Sequence, residues 1–392
     1  MKVLYVTEVY PDPSRGLGVW GGGEKQFYEV SQRVSAAGAE ATVLTCRFPG
    51  QPARDRAGSV LVRRAGLTRD RTSGGPRKSP AHMAAYIALT VREALREKFD
   101  VIHCNTYLPV FAGCIAGRIR GAPVVVTFHD VFEAGDWGAH LGSAFWGAVA
   151  SVVTRAAARA STGQVIAVSA QTKEKLRRLG VSGDAITVIP NGVEPGGSGP
   201  DPHGGNPQRV LYVGRLVKLK AVDQLLLAFA EVVNSVRGAE LAIVGDGPAR
   251  NELEALAARL GIEEQVRFYG KTATYEDVLK HYEEAQVFVL PSAAEGEGIV
   301  LKEAMAAGVP VVGVSGPRTG VSSIVAQGEN GFLVPSGDTH QLAERIVTLL
   351  EDPALREAMG EAGRRSVEGM GWDAVAKATL GVYLRAVRVR RS

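Results

Sequence analysis

The sequence predicts an α/β protein built from two Rossmann-like domains facing a central cleft. Three observations carry that expectation. Apolar strand-type runs alternate with amphipathic helix patterns along both halves of the chain. The alternation stops at residues 194–208, EPGGSGPDPHGGNPQ, and restarts beyond them, so this Gly/Pro-rich stretch is a linker by composition. A length of 392 residues also suits two cores better than one. The expected domains are 1–193 and 209–375, followed by a C-terminal helix, 376–392, that packs back on the first domain.

Hydrophobic residues at 45% and charged residues at 22% are ordinary for a soluble globular protein. Cys46, Cys104 and Cys114 are odd in number and lack metal-ligand spacing. Neither a disulfide framework nor a zinc site is expected, and a reducing cytoplasm fits best. The chain opens directly on a strand pattern, so no signal peptide is expected. Its longest apolar stretch, 141–154, is short for a membrane span. Residues 1–192 carry 24 Lys/Arg against 15 Asp/Glu, a balance of +9 within a chain of net charge +4. A basic first half suits an anionic partner such as a lipid phosphate, a membrane surface or a polymer; a solvated surface accounts for it equally well.

Residues 2–7 form a buried parallel strand by pattern. The long loop 11–23 ends in Gly21-Gly22-Gly23-Glu24, where a helix with Phe27, Val30 and Val34 on one face begins. Glycines opening a helix let backbone N–H groups approach a ligand. The spacing is not the dinucleotide fingerprint GxGxxG. Strand 41–46 leads into the basic segment 48–80, which includes Arg63, Arg64, Arg69, Arg71, Arg77 and Lys78. A short strand is expected at 60–64 and a basic loop around it, suited to an anionic acceptor or simply solvated. Helix 82–98, strand 101–103 and helix 110–118 follow. The strand 124–129 delivers His129 and Asp130 to the carboxyl edge of the sheet, where an imidazole can act on a ligand. Segment 137–153 is apolar with Trp137, Phe145 and Trp146 at its start and Arg155 and Arg159 after it, a pattern of packing or of an interfacial surface.

In the second half, strand 209–213 ends in Gly214-Arg215, with Lys218 and Lys220 in the next loop. Arg215 offers a bidentate fork and Lys220 a mobile point charge, together a diphosphate clamp or an exposed basic loop. Gly245-Asp246-Gly247 resembles a phosphate loop but is too short to be specific. Strand 287–290 enters residues 291–310, PSAAEGEGIVLKEAMAAGVP, the richest stretch of the chain. Glycines open it into a helix from about Ile299, with Glu295 before the helix and Glu303 inside it. A helix N-terminus at a sheet edge favours an anion, and carboxylates there accept hydrogen bonds from hydroxyls. A phosphorylated, hydroxyl-rich ligand is expected.

These motifs together resemble the retaining glycosyltransferases of family 4, glycosyltransferase group 1, which have the GT-B fold. The resemblance spans nearly the whole chain. EGEGIVLKE at 295–303, running into AMAAGVPVV, matches the family's E-x7-E motif and the helix and strand after it. VGRLVKLK at 213–220 matches its donor-phosphate loop. PNGV at 190–193, GGGE at 21–24, the strand end TFH at 127–129 and ENGFLV at 329–334 match weaker elements.

The resemblance implies a hexosyltransferase-type enzyme and assigns roles. Arg215 and Lys220 would neutralise the donor diphosphate as it leaves. Glu303 would accept hydrogen bonds from the nucleotide ribose, and Glu295 would hold the transferred sugar. The backbone at Gly298, Ile299 and Val300 would lie against sugar and phosphate. His129 would contact the sugar near the reacting carbon, with Gly22 and Gly23 bringing N–H groups to the donor phosphate or acceptor. No metal or cofactor is expected, the nucleotide-sugar being a substrate. The donor would be a UDP- or GDP-sugar, and the acceptor a lipid, glycan or small molecule. Peripheral contact with the inner face of a membrane is compatible with the basic first half; no nucleic-acid partner is expected. Two positions depart from the family. Glu297 stands where an apolar or aromatic residue is usual, and either alters donor choice or faces solvent. Asn105 stands where many members have a second His, so the His103 region gains no catalytic role from the resemblance. A non-hydrolysing sugar-nucleotide epimerase and a catalytically silent sugar-nucleotide-binding subunit are the alternatives.

Overall fold

The structure is a computed structural model that describes residues 1–11, 21–48, 50–68, 80–161, 163–194, 208–272 and 274–391. The linker segment 195–207, the loop 12–20 and the basic residues 69–79 lie outside the described residues. The chain divides into two compact units, one of Met1–Trp137, Phe145–Gly192 and Trp372–Ser392, the other of Gly138–Ala144 and Val193–Gly371.

The first unit holds eight strands: β1 (Lys2–Val6), β2 (Glu40–Arg47), β3 (Arg54–Ala57), β4 (Val60–Thr68), β5 (Val101–Cys104), β6 (Val124–Phe128), β7 (Gln164–Ala167) and β8 (Ile186–Val188). They form one sheet in the order β3-β4-β2-β1-β5-β6-β7-β8. All its pairings are parallel except β3 with β4. Strands covered on both faces carry continuous apolar runs, and Val3, Leu4, Tyr5 and Val6 are all buried. The edge strand β3, RDRA, has no such run, and the sequence pattern does not show it. Its charged residues suit an edge. The strand foreseen at 60–64 continues to Thr68 because β4 pairs with β2 along its length.

The helices within residues 1–194 are α1 (Gly22–Ala36), α2 (Pro80–Ala94), α3 (Leu108–Arg120), α4 (Ala134–Leu141), α5 (Ala144–Ala160) and α6 (Ala170–Arg178). The apolar segment 137–153 is thus two helices. The Trp137 indole donates to Thr154 Oγ1 at 2.9 Å and its ring meets Tyr107 and Phe132 edge-on, a packing role. Phe145 and Trp146 on α5 are exposed.

The second unit holds β9 (Arg209–Val213), β10 (Glu240–Val244), β11 (Val266–Gly270), β12 (Val287–Leu290), β13 (Val311–Ser315) and β14 (Gly331–Pro335). They form a parallel sheet in the order β11-β10-β9-β12-β13-β14. Its helices are α7 (Val222–Ser235), α8 (Arg250–Leu260), α9 (Tyr275–Glu283), α10 (Ile299–Ala306), α11 (Thr339–Glu351) and α12 (Pro353–Val367). Leu211, Phe229, Ile243, Phe288, Met305 and Ile346 lie in one buried cluster. The strand order reverses between β9 and β12, and such switch points open a crevice at the carboxyl ends of the strands.

The last helix, α13 (Trp372–Arg391), belongs to the first unit, where it packs on α1. The Tyr383 hydroxyl donates to Tyr5 Oη at 3.1 Å and lies 2.6 Å from His103 Nδ1. A Cβ on Gly192 would lie 2.7 Å from the Trp372 ring. The glycine of Pro190-Asn191-Gly192 is therefore needed for close packing.

Candidate functional site

Two clusters collect the residues singled out in the sequence, one in each unit. In the second unit, β9 and β12 are neighbours and deliver adjacent loops to the carboxyl edge of the sheet. The β9 loop carries Arg215, which is exposed, and no described carboxylate pairs with its guanidinium. The buried Tyr212 hydroxyl donates to the Arg215 carbonyl at 3.1 Å, fixing the backbone from which that side chain projects. Lys218–Lys220 form a 3₁₀ turn that ends at Ala221, whose φ of 48° lies in the left-handed region. Holding a non-glycine residue there costs about 1–2 kcal/mol. The strained residue is the N-cap of α7, which starts at Val222, two residues after Lys220.

The β12 loop is tied on several sides. Ala293 N donates to Leu219 O at 3.0 Å, joining it to the Lys218–Lys220 turn. Glu295 N donates to Arg318 O at 3.2 Å, and Gly320 N donates to Glu295 O at 2.8 Å. The Glu295 carboxylate accepts from Lys220 Nζ at 2.5 Å. Gly298 caps α10 with φ 88°, and an added Cβ would lie 3.2 Å from Leu290 Cδ2. The first intrahelical bond of α10 runs from Leu301 N to Gly298 O, so the N–H groups of Gly298, Ile299 and Val300 precede it. They sit where a helix N-terminus favours negative charge.

Glu303, in the second turn of α10, is buried. Its carboxylate accepts from Tyr275 Oη at 2.9 Å and from Tyr282 Oη at 3.1 Å. Both tyrosines are on α9, seven positions apart, and the motifs in the sequence did not single them out. The spacing of two turns on one helix face was the available signal.

Glu297 is neither exposed nor directed to solvent. It is 4% exposed and paired with Lys302, itself 2% exposed. This overturns the solvent-facing alternative, because a carboxylate so deeply buried requires a partner. Gly245 and Gly247 owe their place to packing. A Cβ on either would lie 1.9 Å from Gly214 O or 2.3 Å from Leu216 O.

In the first unit, α1 starts at Gly22 after the extended Gly21, and its first bond runs from Lys25 N to Gly21 O at 3.0 Å. Gly22 and Gly23 thus present unbonded N–H groups at the helix N-terminus. His129 follows β6. Its ring lies against Gly23, where a Cβ would approach Cδ2 to 2.9 Å. Both ring nitrogens are buried and lack a hydrogen-bond partner among the described residues. Burial lowers the His129 pKa to about 4, so the imidazole is neutral at pH 7. Leaving such a group unsatisfied costs about 1–3 kcal/mol. His103 differs: its Nε2 lies 2.7 Å from Thr127 Oγ1 and its Nδ1 is held by Tyr383. Among the described residues, no group of three or more His, Cys, Asp or Glu side chains is placed to hold a metal ion.

A family model described as Glycosyl transferases group 1 matches residues 200–366, and one described as Glycosyltransferase Family 4 matches residues 20–196. A D-inositol 3-phosphate glycosyltransferase of Kineococcus radiotolerans is 31% identical, over 99% of this chain and 95% of its own length. A second, of Catenulispora acidiphila, is 30% identical over 96% and 93%. Among solved structures, sucrose-phosphate synthase from Thermosynechococcus elongatus superposes with a TM-score of 0.83 at 24% identity, covering 99% of each chain. Anabaena HepE in complex with UDP-glucose gives 0.73 at 22%, over 97% of this chain and 99% of its own. These likenesses show the GT-B fold.

Proposed function

The chain belongs to the glycosyltransferases of family 4 and group 1, and from that premise we propose a metal-independent, retaining transfer of a sugar from a nucleoside diphosphate donor. No cofactor takes part. The bond from the sugar's anomeric carbon to the diphosphate breaks, its electron pair leaves with the phosphate, and an acceptor hydroxyl bonds to that carbon on the same face, its proton passing to the departing phosphate oxygen. The donor lies in the second unit, 209–375 in the sequence division. The acceptor is bound mainly by the first, 1–193.

The observation that carries this reading is the convergence of Arg215, Lys220, Glu295 and the α10 N-terminus on two adjacent loops. Two cations and three free N–H groups oppose the negative charge that develops on a leaving diphosphate. Glu295 accepts hydrogen bonds from sugar hydroxyls, and Glu303 from the ribose. His129, neutral and unpartnered, meets the sugar near the reacting carbon, beside the N–H groups of Gly22 and Gly23. A UDP-sugar is the first donor to test, because the HepE structure holds UDP-glucose; a GDP-sugar is the second. Thermal-shift titration with UDP-, GDP- and ADP-sugars tests the donor, since a bound donor stabilises the fold by mass action. No stabilisation by any of them would overturn the reading. Proton NMR of the product's anomeric signal tests retention.

The acceptor we propose is anionic and hydroxylated. The basic first half and the names of the two relatives support an inositol phosphate or a lipid phosphate. Peripheral membrane contact at the cytoplasmic face is supported by α5. There Phe145, Trp146, Val149 and Val152 are exposed, and the exposed Arg155 and Arg159 follow them. No described helix is long and apolar enough to cross a membrane. Equal partition with and without anionic vesicles at low salt would remove the membrane component.

A further inference from the structure

His129 meets the sugar in the proposed transfer, yet among the described residues no hydrogen bond orients its ring. Its orientation therefore comes from packing. Gly23 lies against one side, and the Phe27 ring, one turn further along α1, meets it edge-on with centroids 6.3 Å apart. Phe27 is itself backed by His103, at 4.8 Å between centroids. His103 lies on β5, paired with β6, the strand that His129 follows. What holds His103 therefore bears on His129.

A chain of buried hydrogen bonds holds His103 and ends on the last helix. The Tyr383 hydroxyl gives its one proton to Tyr5 Oη at 3.1 Å, so its 2.6 Å contact with His103 Nδ1 needs a proton from the imidazole. Burial, and then the neighbouring His129, keep that imidazole neutral, with a pKa lowered to about 3. Its one proton is then on Nδ1, and Nε2 accepts from Thr127 Oγ1 at 2.7 Å. Donation runs from Thr127 to His103 to Tyr383 to Tyr5. We infer that Tyr383 is a positioning residue for His129: it fixes His103 as the Nδ1–H tautomer, and the His103 ring holds Phe27 against the His129 ring. The inference rests on reading His129 as the residue beside the reacting carbon. Tyr383 touches no substrate and acts through the two rings between.

The test follows the seven histidine rings of the full chain by NMR with isotope-labelled imidazoles, and compares Tyr383→Phe with Tyr5→Phe. The parent should show His103 protonated at Nδ1. Each substitution deletes one hydroxyl from the chain and keeps its ring, so both should lower the melting temperature to a similar extent. Tyr5→Phe leaves the Tyr383–His103 contact in place. Tyr383→Phe removes the acceptor that faces Nδ1, so the proton should move to Nε2, where Thr127 Oγ1 can accept it. The His129 ring signals should shift in Tyr383→Phe and keep their parent positions in Tyr5→Phe. Turnover should follow them: kcat falls roughly tenfold in Tyr383→Phe with little change in KM for the donor, the mark of a displaced group at a reacting centre. An Nε2–H tautomer in the parent would overturn the inference, as would an active Tyr383→Phe enzyme with the parent's kcat. His129 signals that stay fixed in Tyr383→Phe, or that shift equally in both variants, would also overturn it and reduce the chain to a tie that docks the last helix. If the parent transfers no sugar from any donor, the proposed function fails, and the His129 signals alone decide this inference. If Tyr383→Phe does not fold, the parent tautomer decides: Nδ1–H supports the inference and Nε2–H overturns it.

Discussion

Lys220 Nζ lies 2.5 Å from Glu295 Oε2, so the loop after β9 and the loop after β12 share an ion pair. Both side chains are largely shielded, at 20% and 16% exposed. In the proposed reaction the ammonium faces phosphate and the carboxylate faces sugar hydroxyls, so each holds the other in place. Substituting either with Ala should lower kcat/KM by about 10²-fold, since each removes a donor contact and releases its partner. The double substitution should lose clearly less than the product of the two single effects, because contacting residues couple by about 0.5–3 kcal/mol. Strictly multiplicative losses would mean that the pair does not act as a unit.

Tyr282→Phe isolates the support of Glu303. The Tyr282 hydroxyl is buried and donates to Glu303 Oε2. Its removal withdraws a donor from a buried carboxylate, which costs about 1–3 kcal/mol of stability. Under the proposed function Glu303 should also lose its orientation toward the donor ribose, raising KM for the donor more than it lowers kcat. Tyr275 is less buried, and Tyr275→Phe should show the same pattern more weakly. An unchanged KM in both variants would remove the tyrosines from donor binding.

How much of this was legible in the sequence depends on the kind of signal. Parallel strands buried on both faces announce themselves as apolar runs, so β1, β6, β9 and β12 were placed to within a residue or two. β3 was missed because an exposed edge strand has no apolar run to detect. Arg215, Lys220, Glu295 and Glu303 stood out because their residue types and spacing match a chemistry. Tyr275 and Tyr282 hold Glu303 in place, and support of that kind leaves no motif. Glu297 was visible as an anomaly, but its meaning depended on Lys302. Nothing in a one-dimensional pattern joins a loop carboxylate to a helical lysine five positions away across a left-handed glycine.

Gly23→Ala separates site geometry from stability. Ala is the better helix residue by about 0.5–1 kcal/mol, and Gly23 is in the first turn of α1. The added Cβ would approach three atoms of the His129 ring to 2.9–3.2 Å, so the ring must shift. Turnover should fall by about tenfold or more, as displacements near 1 Å do at reacting centres. The melting temperature should hold steady or fall slightly, because crowding of the buried ring offsets the helix gain. A fully active variant would take His129 away from the reacting carbon.

Acid should destabilise the first unit through its buried imidazoles. Burial lowers the pKa of His129 to about 4 and of His103 to about 3. The unfolded chain binds these protons near pH 6.5. Above that value both states are neutral and the full stability is present. As pH falls from 6.5 toward 4, the unfolded state takes up protons that the folded state refuses, so stability drops. Each histidine contributes a slope of about 1.4 kcal/mol per pH unit in mid-window. Urea midpoints between pH 7.5 and 4.5 should trace this fall, and His129→Gln should flatten it by about one proton. A His129→Gln profile parallel to that of the parent chain would show that the imidazole is not held neutral.

Arg215→Ala is the sharpest test of the proposed leaving-group chemistry. Its guanidinium is exposed and pairs with no described carboxylate, so truncation orphans no buried charge and stability should barely change. Tyr212 continues to hold the backbone, because its hydroxyl donates to the Arg215 carbonyl rather than to the side chain. What the variant loses is a fork of donors matched to phosphate oxygens, whose negative charge grows as the sugar departs. The loss should appear mainly in kcat, by roughly 10²-fold or more, with a smaller rise in KM, since an interaction that strengthens in the transition state lowers the barrier itself. Arg215→Lys should recover only part of the rate, because an ammonium supplies the charge without the bidentate geometry. An Arg215→Ala enzyme with unchanged turnover would mean that the departing charge is met elsewhere, and Lys220 with the α10 N-terminus would then have to carry it alone.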